Sequence, residues 1–356
     1  MESETEQTQT DKSMNEASEI PAPSQVQLDT GPENTTQLAI RTEHLTKIYS
    51  QSLIAVNDMN LEVPKGSVFA LLGPNGAGKT TTLRLILGLQ RPTAGTAEVF
   101  GRRCGPNAVD VRSRIGYLPT NPKLPEQLRP IEYLNLVGKL YGLTSQARAP
   151  VISSLLRAVG LLGATSQRIG TFSTGMCTRL GIAASLVGDP PLLIWDEPTA
   201  GLDPAARRFT LDLIRELGKT KTIVVATHIL NDIDQVADHL GVMHEGRMIY
   251  TGSMVDMRRR LHNDEFSLDL DGLPENIRKL GDKAALKDGV EAWIEGDQIL
   301  HVRIADGHSR SGVLAGILTL IEGDGVSLAR IRTGHNTTED AYLQLLREDQ
   351  DHGFDR

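Results

Sequence analysis

A glycine-rich segment constrains the fold of this chain more than any other feature. Residues 73–80 fit the pattern G-x-x-x-x-G-K-[ST] at every position, after the apolar run 68–72 and before the helical run 81–87. Glycines let backbone N–H groups approach a ligand closely, and a helix start adds a partial positive charge. The pattern therefore predicts a phosphate-binding loop between a buried strand and a helix, rather than a turn that contains a lysine by chance.

The side chains of this phosphate loop (73–80) have separate predicted roles. Lys79 supplies a full positive charge to the β- and γ-phosphates of a nucleotide, and the Thr80 hydroxyl is suited to ligate Mg²⁺. The candidate ligand-binding residues here are Gly73, Pro74, Asn75, Gly76, Ala77, Gly78, Lys79, Thr80 and Thr81.

Two adjacent carboxylates follow a second apolar run. The run 192–195 ends at Asp196 and Glu197. Because adjacent strand residues point to opposite faces, these two carboxylates cannot share one role. Asp196 suits the Mg²⁺ shell, and Glu197 suits polarising the water that attacks the γ-phosphate. Without the phosphate loop upstream, two solvated acids at a strand end would be the better interpretation.

The apolar runs also predict the organisation of the chain. The runs 68–72, 192–195 and 222–226 are continuous rather than alternating, which indicates strands buried on both faces of a parallel sheet covered by helices. A helical insert is predicted at about 126–176. Its first helix is indicated by the helical spacing of Ile131, Leu134, Val137 and Leu140.

The C-terminal part of the chain has a different pattern. Residues 292–302 predict a hairpin, 313–321 an amphipathic helix and 326–331 a strand, and Thr338 is suited to cap a final helix. These elements together predict a small α+β domain.

Charge and composition narrow the class of protein. The first 36 residues hold eight acidic side chains and one basic one, which is most of the net charge of −8, and they predict a disordered tail. The acidic balance argues against a nucleic-acid partner. The two cysteines fit a reducing compartment. No apolar run reaches the roughly 18 residues of a membrane helix, and no signal segment is apparent, so we expect a cytoplasmic chain.

Several motifs together resemble the nucleotide-binding subunit of an ABC transporter, over about 40–257. They are the phosphate loop, F-S-T-G-M at 172–176, D-E-P-T-A-G-L-D at 196–203, His228 after the run 222–226, and Tyr49 seven residues before Val56. The segment 172–176 resembles the signature motif in the variant found in exporter ATPases.

The resemblance implies an α/β fold of the P-loop NTPase class. An ABC ATPase domain at 37–261, with an antiparallel β-subdomain and a helical subdomain at about 126–176, would lie between the acidic tail 1–36 and a C-terminal α+β accessory domain at 262–356.

The resemblance also implies roles for single residues. It makes Glu197, His228 and Asp203 catalytic, assigns Thr80 and Asp196 to the metal, and adds Tyr49, Val56, Ser173 and Gly175 to the ATP-binding set. Tyr49 would stack on adenine. Ser173 and Gly175 would face the γ-phosphate of ATP bound to a second subunit.

The implied cofactors are ATP and Mg²⁺, and the implied partners are a second ATPase subunit, forming a homodimer, and a separate membrane permease. The permease would dock near Thr120 and the helical insert, which places the chain on the cytoplasmic face of a membrane. Two alternatives remain open: a soluble ABC ATPase acting on the ribosome or DNA, and a non-catalytic ATP-binding regulator.

The sequence departs from the family pattern in two places. Thr120, followed by Asn121, stands where the family usually has a glutamine that contacts Mg²⁺ or water, and either residue is a candidate replacement. In the signature, Thr174 and Met176 stand where glycine and glutamine are commonest. Met176 is expected to weaken polar contact with the partner's nucleotide.

Overall fold

The structure, a computed structural model, describes residues 38–50, 53–260, 264–305, 307–323 and 325–333, and the positions 342, 343, 345, 346 and 349. All of them belong to the unit Thr36–Arg356. The predicted tail 1–36, the predicted domain boundary at 261/262 and the predicted cap Thr338 lie outside the described residues.

The described residues form fourteen strands and ten α-helices. The strands are β1 Leu38–Ser50, β2 Leu53–Pro64, β3 Val68–Leu72, β4 Ala94–Val99, β5 Arg102–Arg103, β6 Ile115–Leu118, β7 Leu192–Asp196, β8 Thr222–Thr227, β9 His239–His244, β10 Arg247–Ser253, β11 Asp264–Asp271, β12 Val290–Glu295, β13 Ile299–Ile304 and β14 Ser327–Thr333. The helices are α1 Lys79–Ile86, α2 Val109–Arg112, α3 Pro130–Leu140, α4 Ser145–Ala158, α5 Thr174–Leu186, α6 Pro204–Gly218, α7 Leu230–Val236, α8 Met254–Arg260, α9 Pro274–Ala285 and α10 Arg310–Gly323.

A six-stranded sheet in the order β10-β9-β3-β8-β7-β6 forms the centre of the fold. Its strands β9, β3, β8, β7 and β6 are parallel, and β10 is antiparallel to β9. Every residue of β3, β7 and β8 is buried, as their continuous apolar sequences predict. Since the carboxyl ends of parallel strands meet at one edge, the phosphate loop, Asp196 and His228 are brought to the same edge of this sheet.

Helices and a second sheet cover the two faces of the central sheet. On one face, Leu83 and Ile86 of α1 pack between Ile194 of β7 and the antiparallel sheet of order β2-β1-β4-β5. On the other face, α5 and α6 pack against Leu193 and Trp195. Successive residues of β7 therefore pack into the hydrophobic cores on opposite faces of the central sheet.

The range 126–176 contains α3, α4, two short 3₁₀ turns, Leu162–Ala164 and Ile169–Thr171, and the start of α5. Leu134 is fully buried and Val137 is partly buried against the same core. The predicted apolar face of α3 is wrong at its two ends, because Ile131 and Leu140 are exposed. A helical period identifies the helix, but burial of its ends depends on which neighbouring elements reach them.

A third sheet, in the order β12-β13-β11-β14, lies in the C-terminal part and packs against α9 and α10. The predicted hairpin, helix and strand are present as β12–β13, α10 and β14. The strand β11 and the helix α9 were not predicted. Further on, Leu345 is buried among Ala70, Leu72 and Val242 of the central sheet region. Among the described ranges, no helix combines the length and the apolar character that a membrane crossing requires.

Candidate active site

The phosphate loop connects the end of β3 to the start of α1, which begins at Lys79. Gly78, at the cap position, has φ 102°, a left-handed value that side-chain-bearing residues rarely adopt. A Cβ atom on Gly78 would collide with the Ala55 carbonyl oxygen, and one on Gly73 with the Met243 carbonyl oxygen. These glycines are therefore required because the loop packs tightly between β2 and β9.

Lys79 is buried beneath this loop, with 6% of its surface exposed. Its Nζ atom donates hydrogen bonds to the carbonyl oxygens of Gly73, at 2.7 Å, and Pro74, at 3.1 Å, and lies 3.5 Å from Oε1 of Glu197. Burial lowers the pKa of Lys79, and the nearby Glu197 carboxylate opposes that shift. The loop thus holds a cationic group facing the carboxylates at the end of β7.

Asp196 ends β7 with 1% of its surface exposed. Its Oδ2 accepts a hydrogen bond from the Thr80 hydroxyl at 2.8 Å, whereas its buried Oδ1 has no hydrogen-bond partner in the described part of the chain. Burial raises the pKa of Asp196, and the hydrogen bond from Thr80 opposes this rise. A buried carboxylate oxygen of this kind is suited to face a cation.

The donor set fits Mg²⁺ held in part by the substrate. Thr80 and Asp196 offer a hydroxyl and a carboxylate, which are the oxygen donors that Mg²⁺ prefers. Within the described ranges, no cluster of three or more His, Cys, Asp or Glu side chains is suited to hold a metal. Thr80 and Asp196 could supply part of a Mg²⁺ coordination shell, which phosphates and water usually complete.

Glu197 occupies the centre of the site, one residue beyond the end of β7. Its carboxylate lies between Lys79 and His228, whose Nδ1 is 3.0 Å from both Oε1 and Oε2. The Glu197 backbone is left-handed, with φ 53°, and its N–H donates to the Ala226 carbonyl oxygen at 2.8 Å. This hydrogen bond from the neighbouring strand holds an otherwise unfavourable backbone conformation, which turns the carboxylate out of the sheet.

Thr120 also reaches this edge of the sheet. Its hydroxyl donates to the main-chain oxygen of Asp196 at 3.3 Å. Asn121 is exposed, with a left-handed φ of 47°. Of the two candidate replacements for the usual glutamine, Thr120 is therefore the one in contact with Asp196.

Tyr49 and Val56 have different environments, although both were assigned to nucleotide binding. Tyr49 is 47% exposed, and its hydroxyl donates to Oε1 of Gln90 at 2.6 Å and lies 3.5 Å from the Thr81 hydroxyl. Its ring lies beside α1, and Nζ of Lys47 lies over the ring at 5.4 Å from the centroid. Val56 has no exposed surface and belongs to the core below the loop. The structure gives the Val56 side chain a packing role, and its contact with a nucleotide stays a prediction.

The signature residues do not join the phosphate loop of their own chain. Ser173 caps α5, accepting a hydrogen bond from the Met176 N–H at 3.3 Å, and the described hydrogen bonds of Ser173 and Gly175 stay within the start of α5. Asp203 similarly caps α6 by accepting from the Ala206 N–H at 2.9 Å. The structure thus brings Lys79, Thr80, Asp196, Glu197 and His228 together, and within the described residues no hydrogen bond joins Ser173, Gly175 or Asp203 to them.

One buried carboxylate next to this site was not predicted from the sequence. Asp232 lies in the first turn of α7, four residues after His228, and contacts Thr199 and Arg207. The sequence shows an acidic residue four positions after His228, but it does not show that Thr199 and Arg207 are the partners of this residue.

Comparisons with known proteins agree with this geometry. The family model described as "ABC transporter" matches residues 56–200. The uncharacterized ABC transporter ATP-binding protein YxlF of Bacillus subtilis is 36% identical over 241 residues, which cover 68% of this chain and 75% of YxlF. The bacitracin transport ATP-binding protein BcrA of Bacillus licheniformis is 41% identical over 212 residues, which cover 59% of this chain and 68% of BcrA. A solved ATP-binding subunit of an ABC transporter, 32% identical, matches with a TM-score of 0.58 over 62% of this chain and 92% of that subunit.

Proposed function

The chain belongs to the ATP-binding ATPase subunits of ABC transporters, and from this membership we propose that it powers an exporter as an ATP-dependent homodimer beneath a separate membrane permease. The division into an ATPase domain at 37–261 and an accessory domain at 262–356 stays a prediction.

We propose that the residues around Glu197 carry out hydrolysis. Lys79 and the backbone N–H groups of 73–80 bind the phosphates of ATP. Glu197 orients and polarises the attacking water, and His228 keeps that carboxylate in place. Thr80 and Asp196 would hold Mg²⁺, which supplies charge neutralisation at the phosphates when bound. The contacts of Glu197 with both Lys79 and His228 support these roles because they hold the carboxylate between the phosphate loop and the end of β8.

The observation that carries the dimer proposal is the separation of the signature from the phosphate loop. Ser173 is exposed at the start of α5, where free N–H groups and the helix dipole favour a phosphate. One chain thus carries a complete loop and a second anion-binding helix start that its own loop does not use. In the proposed dimer, each chain completes the site of the other.

The export role is supported by the relatives. BcrA is named for bacitracin transport, and this chain covers 68% of its length. We propose that a membrane permease docks near Thr120 and the helices α3 and α4, and that the chain works at the cytoplasmic face of the membrane. The permease, rather than this subunit, would select the cargo.

The dependence of ATPase rate on protein concentration tests the dimer proposal. If two chains share each site, the rate per chain rises with concentration until the dimer saturates, and light scattering detects the dimer with ATP. A rate per chain that stays constant down to concentrations where scattering shows only monomers would refute the shared site.

A further inference from the structure

The carboxylate of Asp232 joins two separate elements near the active site. It is buried, with 3% of its surface exposed. Its Oδ2 accepts a hydrogen bond from the Thr199 hydroxyl at 2.5 Å, and its Oδ1 accepts from Nε of Arg207 at 2.6 Å. Only a carboxylate can accept at both oxygens in this way, and a buried one requires such partners.

The two partners lie on either side of one loop, 200–203, which follows the catalytic strand β7. Thr199 lies two residues after Glu197, and Arg207 is in the first turns of α6. At the far end of the loop, Asp203 caps α6, and its main-chain oxygen accepts from the Arg207 N–H at 2.9 Å. The single carboxylate of Asp232 therefore holds the residues at both ends of the loop.

The same carboxylate lies on the helix that follows His228. Helix α7 begins at Leu230, and the Ile229 N–H donates to the Thr227 hydroxyl at 3.0 Å, which fixes the turn between β8 and α7. A shift of α7 would move His228 at its entry, and His228 contacts Glu197. The loop and the histidine are thus connected through Asp232.

The start of α5 adjoins the same loop. A Cβ atom on Gly175 would lie 3.7 Å from the side chains of Leu202 and Ala206. The signature segment and the loop 200–203 therefore pack against each other, so that a displacement of one is felt by the other.

We propose that Asp232 is a positioning residue that couples the seating of the loop 200–203, and of α5 against it, to the placement of His228 beside Glu197. This inference rests on the proposed function, because the loop and α5 matter for turnover only if ATP on a second subunit engages them. The side chain of Asp232 contacts Thr199 and Arg207, and it acts through them and through helix α7, which follows His228.

Kinetics on full-length variants test this role. Asp232→Ala removes both contacts, and we expect kcat to fall roughly tenfold, since a small misplacement of catalytic groups has effects of this size or larger. The KM for ATP should change less than twofold, because the phosphate loop is untouched. Asp232→Glu keeps a carboxylate and should recover part of kcat. Asp212→Ala, which removes an exposed carboxylate from helix α6, is the control and should leave kcat unchanged.

Thr199→Val tests the inference independently, because it keeps the side-chain shape and removes one hydrogen bond. We expect lower kcat with unchanged KM, and no further loss when it is combined with Asp232→Ala. If Asp232→Ala does not fold, the kcat of Thr199→Val decides. A Thr199→Val or folded Asp232→Ala variant that melts earlier but keeps wild-type kcat would show a packing role only and overturn the inference.

Glu197→Gln in the same assay separates this inference from the proposed function. If Glu197→Gln is inactive while Asp232→Ala and Thr199→Val turn over like wild type, the positioning role alone is wrong. If Glu197→Gln retains wild-type turnover, the proposed catalytic site itself is wrong.

Discussion

The Nδ1 atom of His228 lies 3.0 Å from each carboxylate oxygen of Glu197. The contact joins the ends of neighbouring strands, because Asp196 of β7 is paired with Ala226 of β8. Lys79 approaches the same carboxylate from the phosphate loop at 3.5 Å. The candidate general base is therefore held from two sides.

Replacing Glu197 by glutamine should separate ATP binding from hydrolysis. Turnover should fall at least about a hundredfold, as expected for loss of a general base, while Lys79 and the loop keep ATP affinity within a few-fold. With hydrolysis blocked, an ATP-bound dimer should accumulate, which size-exclusion chromatography with light scattering detects. Glu216→Gln, at an exposed glutamate paired with Lys219, is the control. An ATP-insensitive monomer would count against the shared site.

Replacing Lys79 by alanine should abolish high-affinity nucleotide binding. The variant loses the buried cation of the loop, and we expect ATP affinity to fall at least about tenfold because charge-assisted hydrogen bonds to phosphate are lost. Isothermal titration calorimetry measures the change. Lys219→Ala, at an exposed lysine, should bind ATP normally. Unchanged affinity in Lys79→Ala would remove the phosphate-loop assignment.

The buried charge of Asp196, which the proposed metal site requires, should lower the free energy of unfolding at neutral pH. Burial raises its pKa above the usual value, so the ionised form destabilises the folded chain at neutral pH, and this penalty disappears as the pH falls through the folded-state pKa. Asp196→Asn should therefore be more stable than wild type at pH 7.5, and the difference in the free energy of unfolding should narrow in acid. Magnesium-dependent ATPase activity should be lost.

Thermal unfolding from pH 7.5 down to the most acidic value at which both proteins fold reversibly measures this difference. Asp212→Asn, at an exposed carboxylate, serves as the control. A stability difference that stays constant over the whole pH range, or an Asp196→Asn variant less stable than wild type at every pH, would contradict the predicted charge penalty.

Thr120 contributes weakly to the site, because its hydrogen bond to the Asp196 main chain is long, at 3.3 Å. We expect Thr120→Gln to be tolerated or to raise kcat, since the longer amide can extend further toward Asp196 and Glu197. Thr120→Val should reduce kcat less than about threefold, because it removes only one weak hydrogen bond. Steady-state kinetics over a range of Mg²⁺ concentrations measures both. Complete loss of activity in Thr120→Gln would show that Thr120 has a role of its own.

The central sheet could be predicted from the sequence because its strands are short apolar runs that end in polar residues. The predicted run 68–72 is β3 itself, and the runs 192–195 and 222–226 fall one residue short of β7 and β8. The strand β11 was missed although Phe266, Leu268 and Leu270 alternate with polar residues, because its acidic positions obscured the apolar face.

Motif spacing predicted which residues meet at the sheet edge but not every neighbour. Val56 lies at the spacing of a ligand-binding residue, yet the packing of β2 on the core buries it. The contact between Thr199 and Asp232 joins residues 33 positions apart, and it depends on the order of β7 and β8 in the sheet. Such contacts depend on which strands are neighbours in the sheet. The strand order results from the packing of the whole domain and cannot be read from motif spacing.

Residues near the C-terminus should stabilise the ATPase core rather than the C-terminal sheet. Leu345 is 9% exposed in a cluster with Leu72 of β3, Leu240 of β9 and Tyr250 of β10, and Asp349 lies 2.7 Å from Nδ1 of His244. Leu345→Ala should therefore cost about 2–3 kcal/mol through lost burial and a residual cavity. Leu343→Ala, at an exposed position, should cost less than about 0.5 kcal/mol.

The chain has two tryptophans, so unfolding around one of them can be followed by fluorescence once the other is replaced. Trp195 is fully buried in the central sheet, and Trp293 lies partly exposed on β12. In a Trp293→Phe background, fluorescence reports only the surroundings of Trp195, so its urea midpoint should shift to lower concentration in Leu345→Ala and stay in place in Leu343→Ala. An unchanged Trp195 midpoint in Leu345→Ala would mean that the C-terminal segment does not support the central sheet. A shift of similar size in Leu343→Ala would mean that the effect does not arise from burial of Leu345, since the two side chains differ mainly in exposure.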